Sequence, residues 1–304
     1  MERLERILVC VKRPDQDQWL LGYAGAICRA ASSREIHLLH VHTPQTPGGP
    51  SAPPGQPAEW TAARLRAMAI ERFQSHGPED LVCNTVTGAA MVEILRYAMD
   101  KSIDLIVLGR RGGGKAALHE AALARRVTMK ATCSVLVAPE NADLRAGRIL
   151  VPVRNSECSA RAVEQACALA AVTGGTVCCL NVFPIRGDYL EADLTLEEHM
   201  ALMRQWAERE NQQLMGSVNT GGVQVATQCE PDTHGRPAKT ILEFIERQSA
   251  DLVVIGARGR TGAAGVLLGA VTEQLICQSP VPVLAVKKKG ECIGILQALL
   301  TLTG

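Results

Sequence analysis

Aromatic side chains are scarce in this 304-residue chain, at 3%, with three each of Phe, Tyr and Trp. Its core must therefore be built from Ala, Val, Leu and Ile, and a hydrophobic content of 47% is ample for that. An excess of either charge is also missing. Lys and Arg number 32 against 31 Asp and Glu, a net +1, so nothing drives the chain towards a phosphate backbone and no nucleic-acid partner is expected. No run of eighteen apolar residues exists, which predicts no membrane span. The charged Met1-Glu-Arg-Leu-Glu-Arg leads directly into Ile7–Val11 without the pattern of a secretory leader, and a cytoplasmic location is the expectation. Eleven cysteines are present but none forms Cys-x-x-Cys. Cys10, Cys28, Cys83, Cys167 and Cys178 sit among apolar residues and read as small core hydrophobes of a reducing compartment. Cys178 and Cys179, adjacent in an expected strand, should point to opposite faces. There is no Gly-x-Ser-x-Gly elbow. Glu191, Asp193, Glu197 and Glu198 surround an expected helix start, where acids favour the helix dipole without any catalytic role.

The chain repeats itself at a period of about 145 residues, the size of a domain. Ile7-Leu-Val-Cys-Val matches Ile149-Leu-Val-Pro-Val, Asp104-Leu-Ile-Val-Leu-Gly matches Asp251-Leu-Val-Val-Ile-Gly, and Cys133-Ser-Val-Leu-Val matches Val281-Pro-Val-Leu-Ala. Strands alternate with helices in each half, which predicts α/β architecture: parallel sheets with helices on both faces. Strands are expected over 6–11, 35–42, 81–86, 104–108 and 134–138, and again over 148–153, 176–182, 222–228, 251–255 and 282–286. Helices are expected over 16–31, 58–75, 89–100 and 117–130, then 157–172, 195–216, 237–249 and 269–278. Thr195 and Glu198 form a capping-box pattern for the long helix of the second half. Thr43–Pro57, rich in Pro, Gly and Ser, reads as a loop, and Pro139–Gly147 as the linker. The expected domains are 1–140 and 147–288, followed by a tail over 289–304.

The most informative stretch begins at Asp251. Four apolar residues, Leu252–Ile255, run into Gly256; Gly259 follows after two residues and Gly269 after nine more. A short apolar run ending in glycine predicts a strand buried on both faces. Glycines beyond it allow close backbone approach to a ligand, and a helix starting near Gly269 would offer its N-terminal N–H groups to an anion. This Gly-x2-Gly-x9-Gly-Ala spacing resembles the nucleotide-binding signature of the universal stress protein family, in which the last glycine is followed by Ser or Thr. The resemblance extends to Ile149–Val153, to Pro237-Ala-Lys-Thr-Ile-Leu-Glu-Phe and to Ser279-Pro-Val-Pro-Val-Leu-Ala-Val. It implies two tandem open five-stranded sheets of order 3-2-1-4-5, packed as an internal pseudo-dimer through their last strands. It further implies an adenine nucleotide such as ATP or AMP, with Mg²⁺ as a companion cation. Gly256, Ala257 and Gly259 would wrap the phosphates, with charge from Arg258 and Arg260. Gly269, Ala270 and Val271 would offer helix N–H groups, and Pro152, Val153 and Val182 would flank the base.

Two positions depart from the family pattern. Arg154 stands where nucleotide-binding members carry Asp after the first strand, and Ala270 replaces the hydroxyl residue. The backbone donors survive both changes, and an arginine favours a more anionic ligand. The first half departs further. Its loop is Gly109-Arg-Arg-Gly-Gly-Gly-Lys-Ala, Ala121 aligns with Gly269, and Lys12 and Arg13 follow its first strand; that half is expected to have lost the site or to bind something else. Gly109, Gly114 and Lys115 nearly spell a P-loop, but Ala116 replaces the Mg²⁺-binding hydroxyl. His37, His40 and His42 share one strand without the third or fourth ligand a metal needs, and read as ordinary strand histidines. The apolar tail after Lys287–Lys289 is too short to span a bilayer and is expected to dock on the body.

These readings converge on a stress-linked, nucleotide-binding regulator or sensor. It would act through its second half without turnover, since no base or nucleophile accompanies the loop. The alternatives are a degenerate scaffold that binds protein partners and a slow ATPase. A monomer with paired halves and a homodimer are both compatible with the sequence.

Overall fold

The computed structural model describes residues 4–12, 17–31, 33–43, 61–73, 80–111, 114–140, 142, 146–185, 195–257 and 268–289. It divides into two compact units, one in the first half of the chain and one over Ala142–Lys287.

In the first unit the strands are β1 (Arg6–Cys10), β2 (Glu35–His42), β3 (Asp80–Thr87), β4 (Leu105–Arg110) and β5 (Ser134–Pro139). The helices between them are α1 (Gln18–Ala31), α2 (Ala62–Phe73), α3 (Ala90–Asp100) and α4 (Gly114–Lys130). All pairings are parallel and the order is β3-β2-β1-β4-β5. The second unit repeats the plan with β6 (Arg148–Pro152), β7 (Thr176–Pro184), β8 (Val225–Asp232), β9 (Leu252–Gly256) and β10 (Val283–Val286). Its helices are α5 (Glu157–Thr173), α6 (Leu196–Gly216), α7 (Pro237–Gln248) and α8 (Ala270–Gln278), and its order is β8-β7-β6-β9-β10, again parallel.

The inner strands of each unit are near-continuous apolar runs because helices pack against them. Ile7–Val9, Ile106, Val107, Leu150, Val151, Val253 and Val254 are all buried. Without aromatics to fill space, the cores close through small residues such as Ala162, Val163 and Ala166 on α5. Cys179 is buried and Cys178 only partly so, as alternation along β7 requires. Burial lifts the Cys179 thiol to about 12 and raises that of Cys10 as well, so both are inert apolar fillers at neutral pH.

The repeated aspartates have a structural cause. Asp104, just before β4, accepts the backbone N–H groups of Glu5 and Arg6, both at 2.9 Å. Asp251, just before β9, accepts those of Gly147 at 3.0 Å and Arg148 at 3.1 Å. Each carboxylate ties the entry of the central strand to its neighbour and sets their register. At the other end of the first unit's chain, Lys289 pairs with Asp104 and donates to the Ser102 carbonyl at 3.1 Å. The rest of the tail lies outside the described residues.

Most element positions follow the hydrophobic periodicity to within two or three residues. The capping box is present: Thr195 accepts from the Glu198 N–H at 3.2 Å, and Glu198 accepts from the Thr195 N–H at 2.9 Å. The strand expected over 222–228 is displaced to Val225–Asp232. Gly221 and Gly222 adopt positive φ, 60° and 86°, and form a turn that delays entry. β8 then continues through Pro231 because β7 runs to Pro184 and offers it a partner; β8 pairs only with β7 in its unit, where proline is tolerated. Helix α4 starts at Gly114 rather than 117. Of the helix expected over 58–75, Ala62–Phe73 is helical, while 58–60, 74 and 75 lie outside the described residues, as do 44–57 of the expected loop.

Candidate functional site

Parallel α/β sheets place their ligand crevices at the carboxyl ends of the strands, where the order reverses. In the second unit that point lies between β6 and β9, and a cavity of about 330 Å³ opens there. Pro152, Val153, Arg154, Val182, Gly256, Gly269, Ala270 and Val271 line it, together with Leu180, Ile241, Ile255, Pro237, Ser156, Ser159 and Thr272. Ala257 is buried beside it without lining it. Gly259, Arg258 and Arg260 lie outside the described residues.

The backbone donors of the glycine segment are not all free. Ala257 gives its N–H to the Val286 carbonyl at 3.0 Å, and Gly269 gives its N–H to the Ala257 carbonyl at 3.1 Å. These bonds tie the two ends of the loop to each other and to β10. Among the described residues, the first-turn N–H groups of α8, on Ala270, Val271 and Thr272, precede the first intrahelical bond, from the Glu273 N–H to the Gly269 carbonyl, and are the donors a ligand could use. Gly269 is the N-cap, and among the described residues no side-chain hydrogen bond caps the turn. The Thr272 hydroxyl is spent on the Gly256 carbonyl at 3.1 Å, so it does not replace the hydroxyl missing at Ala270. Gly256 itself answers to packing. A Cβ there would lie 2.8 Å from the Cβ and the carbonyl oxygen of Cys158 in the first turn of α5.

The end of the cavity beside β6 and β7 is shaped by Arg154. Its guanidinium donates to the Val182 carbonyl at 2.8 Å and its backbone N–H to the Ser159 hydroxyl at 3.1 Å. Ser159 is held in turn by Ser156, whose hydroxyl accepts the Ser159 N–H at 3.2 Å and caps α5. Sequence reasoning missed both serines. The local signal was Ser156 followed three residues later by Ser159 at an expected helix start, a capping arrangement that also turns hydroxyls towards the strand ends.

The first unit carries a cavity of about 460 Å³ at the corresponding strand ends. The end of it beside α4 is built differently. Ala121, which aligns with Gly269, lies inside α4, seven residues past its start at Gly114. The N–H groups there are taken up by the helix ladder. In their place Glu120 reaches back: its carboxylate accepts the Arg111 backbone N–H at 3.0 Å and the Arg111 guanidinium at 2.9 Å. Arg111 also pairs with Asp17, which accepts the Lys12 N–H at 2.8 Å, and Lys12 Nζ lies 3.4 Å from Glu120. Asp17 and Glu120 are buried, with side-chain exposures of 5% and 6%. Gly112 and Gly113 lie outside the described residues, and so does the Lys115 side chain of the near P-loop.

Two of the strand histidines, His37 and His40, are occupied structurally. His37 contacts the Tyr97 hydroxyl at 3.0 Å and Glu35 at 3.1 Å, and His40 the Val11 carbonyl at 2.9 Å. Burial holds the His37 imidazole below its usual range despite the opposing Glu35 carboxylate. Among the described residues no group of three His, Cys, Asp or Glu side chains is arranged to hold a metal. No helix among them is long and apolar enough to cross a membrane.

Comparison with known proteins agrees with this geometry. The model of the universal stress protein family matches residues 3–139 and again 146–287. Universal stress protein MJ0531 of Methanocaldococcus jannaschii is 31% identical over 144 residues, covering 46% of this chain and 82% of that protein. Among solved structures, a universal stress protein from Archaeoglobus fulgidus superposes with a TM-score of 0.61 at 20% identity, covering 94% of this chain and 99% of that one. PA1789 of Pseudomonas aeruginosa, described as functionally unknown, reaches a TM-score of 0.67 at 19% identity over 98% of both chains. At these identities the structural matches speak to the fold.

Proposed function

The chain belongs to the universal stress protein family, and from that premise we propose that its second half reversibly binds an adenine nucleotide of the ATP or AMP type, as a regulatory or sensor protein without turnover. The observation that carries this reading is the cavity at the β6–β9 switch point. Its apolar walls, Pro152, Val153, Val182 and Ile241, stand opposite the uncapped first turn of α8. Apolar walls accept a base face. The N–H groups of Ala270, Val271 and Thr272, together with the helix dipole, accept a phosphate. Arg154 holds the Val182 carbonyl that a base amino group would otherwise use, so the base sits against a guanidinium rather than the family's acid, and affinity for adenine is lowered while affinity for anionic groups is kept. Mg²⁺ would accompany the phosphates from solution, since the described lining offers no carboxylate for it. Cytoplasmic location, a stress-linked role and the domain limits 1–140 and 147–288 belong to the same proposal.

Isothermal titration of nucleotide-stripped protein with Mg-ATP and AMP, taken to millimolar ligand, tests it. Saturable binding near one site per chain is expected, abolished by Val271→Glu, which places a carboxylate in the anion site. No saturable binding of either nucleotide would overturn the proposal and favour the scaffold reading, to which Arg154 and Ala270 both point.

A further inference from the structure

We propose that the cavity of the first half is a second ligand site, for an amphiphilic monoanion: an apolar body that ends in one carboxylate. This inference rests on the first unit alone and does not depend on nucleotide binding in the second. The cavity, about 460 Å³, is within the range of small-molecule sites, and it has two kinds of wall. One is apolar, with Val11, Leu39, Val41, Met91, Ile94 and Leu108 drawn from the strand ends and from α3. The other is charged. Lys12, Asp17, Arg111 and Glu120 meet there. His119, Leu123 and Arg126 border the space as well, at the i, i+4, i+7 spacing that puts them on one face of α4. A ligand that matches both walls carries an apolar part and a charged end.

The sign of that charge follows from the balance of the charged wall. Arg111 pairs with both Asp17 and Glu120, and Lys12 Nζ lies 3.4 Å from Glu120. These two carboxylates and two cations sum to zero. Arg126 adds one positive charge; it is exposed and has no ion-pair or hydrogen-bond partner among the described residues. Two helix starts reinforce the positive sign. Ala90, Met91 and Val92, the first turn of α3, line the cavity without a side-chain cap, and α4 begins at Gly114, close in sequence to Arg111 and His119. The positive ends of both helix dipoles favour an anion there. A single carboxylate can take the Arg126 guanidinium, whose planar fork matches it, while the apolar body covers the strand ends. A dianion would gain the same partner but would also face Asp17 and Glu120, whose places on Arg111 are already taken. The cavity of the second half offers no such arrangement: its described lining holds one cation, Arg154, and that guanidinium is turned to the Val182 carbonyl.

The test uses the full chain and octanoate, titrated calorimetrically at mildly alkaline pH below its micelle-forming range, with octanol and octyl phosphate as comparison ligands. Saturable binding of octanoate near one site per chain is expected, unchanged by millimolar Mg-ATP and unchanged by Ile241→Trp, which fills the cavity of the second half. Met91→Trp, which fills the first cavity, should weaken it about tenfold. Arg126→Gln should weaken octanoate about fourfold, the scale of one exposed ion pair, and leave octanol unchanged. That split is one a merely structural role would not produce, and it serves as the independent check should Met91→Trp fail to fold. Octyl phosphate, a dianion at that pH, should bind more weakly than octanoate. Absence of saturable octanoate binding, binding that survives Met91→Trp in a folded chain, or binding lost in Ile241→Trp would overturn the proposal. So would an Arg126→Gln variant that binds octanoate unchanged or loses octanol equally, tighter binding of octyl phosphate, or displacement of octanoate by Mg-ATP.

Discussion

Changing Gly256 to Ala separates two reasons for a glycine at this position. If it is there to let a ligand approach, alanine should lower affinity and leave the apo fold untouched. The structure argues for packing. The added Cβ would stand 2.8 Å from Cys158 Cβ, 2.8 Å from its carbonyl oxygen and 2.9 Å from its carbonyl carbon. Two of those atoms are backbone in the first turn of α5, so no rotamer change relieves the clash and the helix must move off the sheet. Overpacking of this kind costs about 1–3 kcal/mol. With a urea m-value of about 2 kcal/mol/M, the unfolding midpoint of the second unit should fall by about 0.5–1.5 M. Gly216→Ala is the matched control: nothing lies within 4 Å of the new methyl at the end of α6, and the substitution should stabilise by about 0.5–1 kcal/mol. Urea unfolding of the ligand-free protein, followed by circular dichroism, gives both midpoints. An unchanged midpoint for Gly256→Ala with weakened nucleotide binding would refute the packing argument.

Further outcomes follow from the same geometry. Arg111→Met strands the buried carboxylates of Asp17 and Glu120 and should cost about 3–5 kcal/mol in the first unit, largely recovered when Asp17→Asn and Glu120→Gln are added; a loss below about 1 kcal/mol by urea unfolding would show that these carboxylates are well hydrated. Asp251→Ala removes the acceptor for two backbone N–H groups at the entry of β6 and should destabilise by about 2 kcal/mol, with amide exchange of Gly147 and Arg148 accelerating first; protection unchanged at both would contradict the clamp. The buried His37 ionises less readily folded than unfolded, so the unfolded chain takes up its proton first as pH falls. Stability should decline from about pH 6.5 downwards until the folded imidazole also protonates, by up to about 1 kcal/mol per pH unit. His37→Phe should flatten that part of the stability–pH profile, and an equally steep profile in the variant would rule His37 out as its source.

Much of the architecture was legible because its signals are local. Four apolar residues ending in Gly256 mark β9 wherever the strand packs, and Thr195 with Glu198 caps α6 through contacts three residues apart. The repeat of Asp104 and Asp251 was visible as a pattern, although its purpose, holding the entry of the central strand, appeared only with the partners about a hundred residues away. The displaced β8 shows where local reading stops: Gly221 and Gly222 delayed the strand, and the length of β7 prolonged it.

The sequence by itself determined the alternation of strands and helices, the tandem repeat and the family, and it named Pro152, Val153, Arg154, Val182, Gly256, Gly269, Ala270 and Val271, which the fold brings to one cavity. Only the tertiary structure decided which of their groups remain available. Whether an N–H is free depends on what another segment offers it, and here Val286 takes the N–H of Ala257 and Ala257 takes that of Gly269. Whether Arg154 reaches a ligand or a carbonyl depends on Val182. Ala121 aligns with Gly269, yet α4 begins seven residues earlier and turns a helix end into a helix interior, where Glu120 and Asp17 hold Arg111 in an ion-pair cluster beside the strand ends. Residue identity is one-dimensional, but the satisfaction of polar groups belongs to pairs brought together by the fold.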